Sequence, residues 1–364
     1  MLELNVHIRD ALLTWYRASM RTLPWRDAPT PYHVWISEIM LQQTRVEAVR
    51  SYYTRFIDAI PDIPSLAALE EETLLKYWQG LGYYSRARNL KRAAQEVMEK
   101  YNGELPRDFD ALLSLPGIGR YTAGAILSIA YHLPYPAVDG NVLRVVMRLA
   151  GFSLDILQDT TKRRVEEALL PILPDQGKSC SDMTQAFMDL GSSICLPKKP
   201  LCLCCPLSSF CRAYADDLTD ALPYRSPKKK RRIEKLTVLR LSCQNQLAIR
   251  QRSSEGLLAN LWELPHLNDY YKKQSLLDLF DDRGYDVTHI EKLPVKKHIF
   301  SHIEWHMQGW DIKLASTSPK ATGVKEAPAA YMSSDEAFPD QLVWASEEDI
   351  ANRYSIPTAF SYYL

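Results

Sequence analysis

Apolar residues recur at spacings of three and four along the first part of the chain, from Leu4 to about Asp217. That spacing places apolar side chains on one face of a helix, and prolines and glycines interrupt it where helices would end. Later segments such as LTVLRLSC, NQLAIRQR and HIEWHMQGWDIKL alternate or form short apolar runs, as strands do, while KQSLLDLFDDRG and SEEDIANRYS are typical of helices. The pattern predicts a mainly α N-terminal part and an α+β C-terminal domain.

A polar, proline-bearing segment between these parts predicts an interdomain linker over residues 219–235. Its five consecutive basic residues, Lys228 to Arg232, are typical of a solvated tether, with a strip that follows phosphates as the less favoured alternative. The predicted helical domain then covers residues 1–218, and the α+β domain covers residues 236–364. A chain of 364 residues suits two or three domains.

The composition, 46% hydrophobic and 24% charged, is that of a soluble globular protein. The formal net charge is zero, so a nucleic-acid surface would have to come from local basic patches. No apolar run approaches the roughly 18 residues of a membrane span, and the first residues lack a signal or transit pattern. We therefore expect a cytoplasmic protein of bacterial type, with no membrane partner.

Four cysteines, Cys195, Cys202, Cys205 and Cys211, lie within one short loop, residues 195–211. Thiolates in this C-x6-C-x2-C-x5-C spacing can converge on one metal centre, and an all-thiolate set suits an iron-sulfur cubane at least as well as zinc. Zinc stays open as the alternative. Disulfides are less expected, because the seven cysteines are an odd number and no secretory signal is evident. Cys204 could in principle replace Cys205.

The segment LPGIGRYTAGAI, which begins at Leu115, predicts a helix-hairpin-helix over about residues 110–131. Gly117 and Gly119 would leave backbone amides exposed at the start of the second helix, where the amides and the helix dipole can hold a phosphate. A plain interhelical turn is an equally weighted alternative. Asp139, in VDGNV, follows about twenty residues later and, taken alone, would be an ordinary N-cap.

Together, the hairpin, the VDGNV aspartate and the four-cysteine loop resemble the helix-hairpin-helix DNA glycosylases that carry a [4Fe-4S] cluster. The segments PWR (24–26), WISEIMLQQT (35–44) and GLGYYSR (80–86) further resemble the adenine DNA glycosylases of the MutY type, and the similarity covers almost all of residues 5–215. In the second part, GLLANLWELP (256–265) and HIFSH (298–302) resemble, less closely, the Nudix-like domain with which that family inspects 8-oxoguanine.

The resemblance implies a cofactor, a partner and a reaction. The cofactor is a [4Fe-4S] cluster held by the four cysteines. The partner is double-stranded DNA containing adenine opposite 8-oxoguanine or guanine, bound by a monomeric enzyme. The reaction is the base excision repair step that hydrolyses the N-glycosidic bond of the mispaired adenine.

Two carboxylates suit this chemistry. The reaction needs an acid that neutralises the departing base and a negative group beside the sugar, where positive charge develops. Glu38 lies among apolar neighbours that would raise its pKa and keep it protonated; a solvated glutamate on an amphipathic helix is the alternative. The resemblance implies that Glu38 protonates N7 of adenine and that Asp139 stabilises the oxocarbenium-like sugar. Tyr121 and Asn141 are predicted to support the two carboxylates.

Tyr121 also separates two kinds of enzyme. Endonuclease III-like relatives place a lysine at this position, where its amine forms a Schiff base and the strand is cut. A phenol cannot form that bond, so a monofunctional glycosylase that leaves an abasic site is predicted. A bifunctional lyase acting on oxidised pyrimidines and a DNA-binding iron-sulfur protein without catalysis are the alternatives.

The resemblance assigns further residues to lesion recognition. Gln43 and Thr44, taken to lie on the helix of Glu38, would contact the base opposite adenine. Leu81 and Tyr83 would wedge into the stack vacated by the flipped adenine. Without the resemblance, these residues would be ordinary core or surface positions.

The C-terminal domain is predicted to be a binding module. A Nudix hydrolase needs a helix of magnesium-binding glutamates after its glycine, and none follows Gly256. The full predicted set for DNA and lesion binding is Arg26, Gln43, Thr44, Leu81, Tyr83, Gly117, Gly119, Phe300, Ser301 and His302.

Basic residues near the cysteine loop are candidates for phosphate contacts. Lys198 and Lys199 lie between the first two cysteines, and Arg86, with the basic residues that follow it, could extend their surface. A solvated charged face is the more frequent role for such residues.

Overall fold

A computed structural model describes residues 4–227, 230–319 and 342–364 of the chain. The chain divides into two compact units. The first unit contains the chain up to Leu69 and from Ser85 to Pro227, and the second contains Glu70–Tyr84 and the chain after Pro227. Lys228 and Lys229 of the predicted basic run lie outside the described residues.

The regular secondary structure of described residues 4–218 consists of helices, which confirms the predicted fold class. None of the described helices is both long and apolar enough to span a membrane. The helices are α1 (Val6–Ser19), α2 (Pro24–Asp27), α3 (Pro31–Leu41), α4 (Val46–Ala59), α5 (Ile63–Ala68), α6 (Glu71–Trp78), α7 (Ser85–Tyr101), α8 (Phe109–Ser114), α9 (Arg120–Ala125), α10 (Gly140–Ala150), α11 (Asp159–Leu169), α12 (Lys178–Ser193) and α13 (Arg212–Ala215). A π-helical segment, Ile126–Ala130, continues α9, and 3₁₀ turns occupy Leu170–Ile172, Cys202–Cys204 and Ser208–Phe210.

The core that supports the helical unit forms where α1, α10, α11 and α12 meet. In α1, the buried Ile8, Leu12 and Tyr16 follow the four-residue spacing that aligns side chains on one helix face. All residues of α10 from Val142 to Leu149 are buried, so this helix runs through the interior. Full burial of one such aliphatic side chain contributes about 2 kcal/mol of transfer free energy. The burial of eight consecutive residues therefore holds α10 in place, together with Asp139, which caps its start.

The second unit contains a mixed sheet with helices, as predicted. Strand order is β3-β2-β1-β7-β5, with β4 pairing β1, β6 pairing β7 and β8 pairing β2. The pair β1 and β7 is parallel and the other pairs are antiparallel. The elements are β1 (Arg232–Cys243), β2 (Gln246–Gln251), β3 (Trp262–Glu263), β4 (His266–Asn268), α14 (Lys273–Asp282), β5 (Val287–Lys292), β6 (Lys296–Ile299), β7 (Ile303–Leu314), β8 (Val343–Ser346), α15 (Glu347–Asn352) and α16 (Thr358–Ser361).

Both faces of this sheet are covered, which explains why its central strands are apolar on both sides. Leu236 of β1 pairs with Met307 of β7, and both belong to the core on one face. Leu239 pairs with Trp310, and both belong to the core on the other face. The two-residue period of a strand thus divides each apolar run between two cores.

Two boundaries differ from those expected from the sequence. Strand β1 begins at Arg232, inside the predicted linker, because its parallel pairing with β7 starts there, opposite Ile303. The segment Glu70–Tyr84, which carries α6 and the GLGYY turn, groups with the sheet-containing unit. In it, Lys76 Nζ donates to the carbonyl oxygen of Tyr354 at 3.1 Å, and Glu72 Oε1 accepts from the indole of Trp262 at 3.2 Å.

Candidate active site

A cavity of about 520 Å³ opens in the helical unit. Its size is that of a small-molecule site and is sufficient for a nucleobase. Elements far apart in the sequence line it, including α2, α3, α9, the start of α10 and α12. The lining includes the four residues predicted to do chemistry and three of those predicted to bind DNA, namely Glu38, Tyr121, Asp139, Asn141, Arg26, Gln43 and Thr44.

Glu38 lies in the buried stretch of α3, with only 4% of its surface exposed. The helix is fixed at its start by Thr30, whose hydroxyl accepts from the backbone N–H of His33 at 3.2 Å. Burial raises the pKa of Glu38 to about 7, against a hydrogen bond from Tyr121 that lowers it, and the charge of Asp139 raises it further. The carboxyl group therefore holds a proton close to neutral pH and can release it there.

Tyr121 contacts Glu38 directly. Its hydroxyl donates to Oε2 of Glu38 at 2.5 Å. Burial, and next the charges of Glu38 and Asp139, raise the pKa of Tyr121 well above its usual value, so the phenol stays protonated and acts as a donor. The hairpin places it there, because α9 starts immediately after Gly119 and Tyr121 is its second residue.

Asp139 is both an N-cap and a wall of the cavity. Its Oδ1 accepts from the backbone N–H groups of Asn141 at 2.8 Å and Val142 at 2.7 Å, and its Oδ2 accepts from the Asn141 amide at 2.8 Å. Burial raises the pKa of Asp139 above its usual value, whereas these three hydrogen bonds favour the carboxylate. Within the described part of the chain, Glu38 accepts a single such bond. The negative charge of the pair therefore resides on Asp139 and the proton on Glu38.

A chain of contacts behind Asp139 was not predicted. Asn141 Oδ1 accepts from Arg144 at 2.9 Å, and the same guanidinium donates to the carbonyl oxygens of Gly191, at 2.6 Å, and Cys195, at 2.8 Å. A Cβ atom on Gly191 would lie 2.7 Å from that of Asn141, so only glycine permits this approach. The sequence signal was an arginine three residues after Asn141, one helical turn away.

Arg148, one turn further along α10, was also missed. It is 2% exposed, and its guanidinium donates to Sγ of Cys195 at 3.3 Å. It also donates to four carbonyl oxygens around the cysteine loop, those of Leu196, Pro197, Thr219 and Leu222. A single buried arginine thus links the start of the loop, and the segment that follows the loop, to the helix that carries Asp139 at its start.

The cysteine loop orients its thiols unequally. The residues Cys202–Cys204 form a 3₁₀ turn, which has three residues per turn and so places Cys205 on the side of Cys202. Cys204 is exposed, whereas Cys195, Cys205 and Cys211 pack partly buried against the helical core. Burial first, and also the neighbouring thiols, raise the pKa of Cys205 to about 11. Burial against the core thus distinguishes Cys205 from the exposed Cys204 as the candidate ligand.

The donor set of this loop suits an iron-sulfur cluster. Four thiols, a largely apolar backing and an arginine donating to one sulfur are the surroundings that tune such clusters. Within residues 4–227, 230–319 and 342–364, no three His, Cys, Asp or Glu side chains are close enough to hold a single metal ion between them.

Two placements expected from the sequence are wrong. Gln43 and Thr44 do not lie on the helix of Glu38, because α3 ends at Leu41 and Gln43 has a φ of 60°. Both still reach the cavity lining. Arg86 is not a surface cation: it is 8% exposed and donates to the carbonyl oxygens of Ile39 at 2.6 Å, Met40 at 3.1 Å and Gln42 at 2.7 Å. It stabilises the C-terminal end of the helix that carries Glu38.

Arg26 lies at the cavity, and the hairpin glycines lie just before α9. Arg26 lines the cavity and forms a bidentate ion pair with Asp189, at 2.8 and 3.0 Å. Gly117 has a φ of +77°, and a Cβ there would lie 2.7 Å from that of Asn89. Gly119 is exposed and caps the start of α9, with open space beside it.

The residues predicted to read the lesion come together partly. In the second unit, the hydroxyl groups of Tyr83 and Ser301 lie 3.2 Å apart, and both residues are exposed. Leu81 is 6% exposed, so its side chain is buried in this conformation. Phe300 packs against Trp305, with ring centroids 4.8 Å apart, and His302 is exposed beside it. The turn at Tyr83 and the Phe-Ser-His loop thus contact each other through one pair of exposed hydroxyl groups.

Known protein families match both parts of the chain. A family model for HhH-GPD superfamily base excision DNA repair proteins matches residues 36–174, and a NUDIX domain model matches residues 237–364. An adenine DNA glycosylase of Mus musculus is 34% identical over 373 residues, which cover 85% of this chain and 72% of that protein. One of Buchnera aphidicola from Acyrthosiphon pisum is 34% identical over 306 residues, covering 83% of this chain and 85% of that protein.

Solved structures are similar to the helical part. A thermostable thymine-DNA glycosylase has 30% sequence identity and a TM-score of 0.52, covering 58% of this chain and 96% of that one. A non-covalent endonuclease III–DNA complex has 29% identity and a TM-score of 0.50, covering 58% of this chain and 95% of that one.

Proposed function

Because this chain belongs to the adenine DNA glycosylases of the MutY type, we propose that it excises adenine mispaired with 8-oxoguanine or guanine. The substrate is double-stranded DNA, the enzyme acts as a monomer, and the product is an abasic site. The observation that carries this proposal is the convergence of Glu38, Tyr121 and Asp139 on one cavity large enough for a base. Adenine reaches it by rotating out of the duplex.

The two carboxylates divide the reaction between them. Glu38 donates its proton to N7 of adenine as the bond between the sugar C1′ and N9 breaks, and the electron pair of that bond stays on the base. Asp139, ionised and held by three N–H groups, stabilises the positive charge that develops on the sugar. Water then adds its oxygen to C1′, and its proton passes to the carboxylate left on Glu38. The unequal hydrogen bonding of the two carboxyl groups supports this division of roles.

The same cavity supports a monofunctional reaction. Tyr121 occupies the position at which a Schiff-base lysine would stand, and none of the described residues that line the cavity is a lysine. Base release should therefore leave an intact strand that breaks only in alkali, with no borohydride-trapped complex. A covalent complex that is trapped by borohydride as fast as the base is released would assign the protein to the bifunctional lyases.

Removing the hydroxyl of Tyr121 should move the pH profile in a defined direction. Its hydrogen bond lowers the pKa of Glu38, which burial raises to about 7. In Tyr121→Phe that pKa rises further, so Glu38 stays protonated at higher pH and the alkaline limb of the single-turnover rate moves to higher pH. The measurement is the pH–rate profile. Tyr131→Phe, which removes a hydroxyl bonded to the carbonyl oxygen of Leu105 outside the cavity, should leave the profile unchanged.

The Phe-Ser-His loop is proposed to read the base opposite adenine, and the turn at Tyr83 to enter the base stack. Phe300, Ser301 and His302 would contact 8-oxoguanine, and Gln43 and Thr44 would also contact the opposite base. Leu81 and Tyr83 would wedge into the stack vacated by the flipped adenine. The exposed hydroxyl pair of Tyr83 and Ser301 supports a shared reading surface. For Leu81 to enter the base stack, it must leave its buried position.

Ser301→Ala should lower the preference for 8-oxoguanine over guanine. Loss of one hydrogen bond to the lesion costs about 1.4 kcal/mol, or roughly tenfold in the ratio of rates. The measurement is single-turnover adenine release opposite each base. Ser361→Ala, which removes an exposed hydroxyl of α16 in the same unit, is the matched control and should keep the parent ratio. An unchanged ratio in Ser301→Ala would remove Ser301 from the reading surface.

Cys195, Cys202, Cys205 and Cys211 are proposed to hold a [4Fe-4S] cluster. When bound, the cluster supplies a rigid cross-link to the loop. The loop presents exposed Lys198 and Lys199, whose charges suit the phosphate backbone, as do the amides beside Gly117 and Gly119. Arg148 fixes the same loop through its carbonyl oxygens.

The proposed specificity is tested with three duplexes that contain adenine opposite 8-oxoguanine, guanine and thymine. Single-turnover release should be fastest opposite 8-oxoguanine, slower opposite guanine and undetectable opposite thymine. Equal rates for all three would leave an adenine glycosylase without mispair recognition. A thymine-glycol duplex run in parallel tests for the pyrimidine lyase.

A further inference from the structure

We propose that Asp189 is a positioning residue of this site: its buried carboxylate orients Arg26 at the cavity wall and balances its charge, so that Glu38 keeps its proton. The inference rests on the proposed function and adds to it a residue that does not touch the adenine. It follows from the placement of one carboxylate between two arginines at the edge of the cavity.

Asp189 and Arg26 form a rigid pair. Nη1 and Nη2 of Arg26 donate to the two carboxylate oxygens of Asp189 at 2.8 and 3.0 Å. The Asp189 side chain is 3% exposed and that of Arg26 is 14% exposed, so the pair is shielded from solvent. Two parallel hydrogen bonds fix the plane of the guanidinium as well as its position. Arg26 is thus held in one orientation where α2 borders the cavity.

A second arginine shares the same carboxylate. Nε of Arg21 donates to Asp189 at 2.9 Å, and Nη2 of Arg21 also donates to Ser192 at 3.1 Å. Both arginines and Ser192 line the cavity. Although burial alone would raise the pKa of Asp189, hydrogen bonds from Arg26 and Arg21 hold it below its usual value, so the carboxylate is charged. The two cations and the one anion carry a net charge of +1.

That net charge matters because Glu38 must stay protonated. Burial raises the pKa of Glu38 and the charge of Asp139 adds to the rise, while the Tyr121 hydrogen bond and the charge of Arg26 lower it. The groups that act on Glu38 are Tyr121 of α9, Asp139 at the start of α10 and Arg26 of α2. Asp189 of α12 and Arg21 are linked to this set through Arg26, because both arginines donate to the Asp189 carboxylate. Without the Asp189 charge, two uncompensated cations would favour the ionised form of Glu38.

Asp189→Asn should therefore shift the alkaline limb of the single-turnover profile to lower pH, by about half a unit or more. Adenine release at pH 7.5 should fall roughly threefold for a shift of half a unit, while the Kd for the mispaired duplex stays near that of the parent. Arg21→Gln removes a partly exposed cation that shares the Asp189 carboxylate, and it should shift the alkaline limb to higher pH. This second variant tests the charge balance even if Asp189→Asn does not fold.

Asp182→Asn is the matched control. Asp182 is a buried carboxylate of the same helix, α12, and it pairs with Arg17 of α1 at 3.1 Å, outside the cavity lining. It shares the structural role of Asp189 but not its position, so Asp182→Asn should keep the parent profile. Arg26→Lys keeps the positive charge but loses the bidentate contact with Asp189. It should therefore lower the rate of adenine release without shifting the alkaline limb of the pH profile.

A measurement without substrate separates this inference from the proposed function. Carbon-13 NMR titration of labelled glutamate, with Glu38 assigned from Glu38→Gln, reports the pKa of Glu38 in the parent and in Asp189→Asn. A lower pKa of Glu38 in Asp189→Asn supports the inference even if the parent releases no adenine. Failure of the parent to release adenine would contradict only the proposed function. An unchanged pKa together with a profile like that of Asp182→Asn would overturn the inference.

Discussion

Glu38→Gln is expected to slow adenine release by roughly a thousandfold or more, while binding to the mispaired duplex is retained. Glutamine keeps the volume of the side chain, and its amide oxygen can still accept the hydrogen bond from Tyr121, which lies 2.5 Å away in the parent. It carries no proton that can pass to N7. The measurements are single-turnover base release and an equilibrium binding assay on the same duplex. Glu47→Gln, at an exposed position of α4, is the control.

Asp139→Asn tests the second carboxylate and should cause a loss of similar size. Asparagine caps a helix as well as aspartate does, so α10 should remain stable while the negative charge beside the sugar is lost. Asp62→Asn makes the same exchange at the N-cap of α5, where the side chain accepts from Ser65 at 2.8 Å, and should leave activity unchanged. Adenine release at the parent rate by either cavity variant would contradict the division of roles between Glu38 and Asp139.

Cys205→Ser is expected to lose the iron-sulfur cluster, and Cys204→Ser is expected to keep it. The two positions are adjacent, but the 3₁₀ turn directs Cys205 to the side of Cys202 while Cys204 is exposed. The measurements are iron and acid-labile sulfide content and the visible absorption of the purified protein. Loss of one ligand should also destabilise the loop, because a cluster binds only its folded form.

Other outcomes of this pair would change the metal assignment. Retention of full iron content in Cys205→Ser together with its loss in Cys204→Ser would make Cys204 the ligand. One equivalent of zinc and no sulfide in the parent would support the zinc alternative that the spacing leaves open.

The fold class could be predicted from the sequence, and Glu38 and Asp139 could be chosen as candidate residues, because both depend on patterns within short segments of the chain. Helical and strand periods separate the two parts of the chain, and the confirmed mixed sheet accounts for the apolar runs of β1 and β7. Glu38 and Asp139 stand within recognisable segments, and their chemistry needs acidic side chains. The structure adds that the two lie on one cavity.

The residues that hold the site in place were not predictable in the same way. Arg86, Arg144 and Arg148 bind mainly backbone carbonyl oxygens, which every residue has, so no particular residue type marks their partners. A lone arginine on an amphipathic helix is usually solvated, which is why Arg86 was predicted to lie at the surface. Asp189 and Arg26 are 163 positions apart in the sequence, and they come into contact only when the chain folds.

The single measurement that tests the proposed reaction most directly is product analysis by mass spectrometry after one turnover of the parent enzyme on a duplex with adenine opposite 8-oxoguanine. We predict free adenine and an unbroken strand carrying one abasic site, in equal amounts. An unchanged strand, or a strand cut by the enzyme without alkali, would contradict the assignment of this cavity to monofunctional adenine excision.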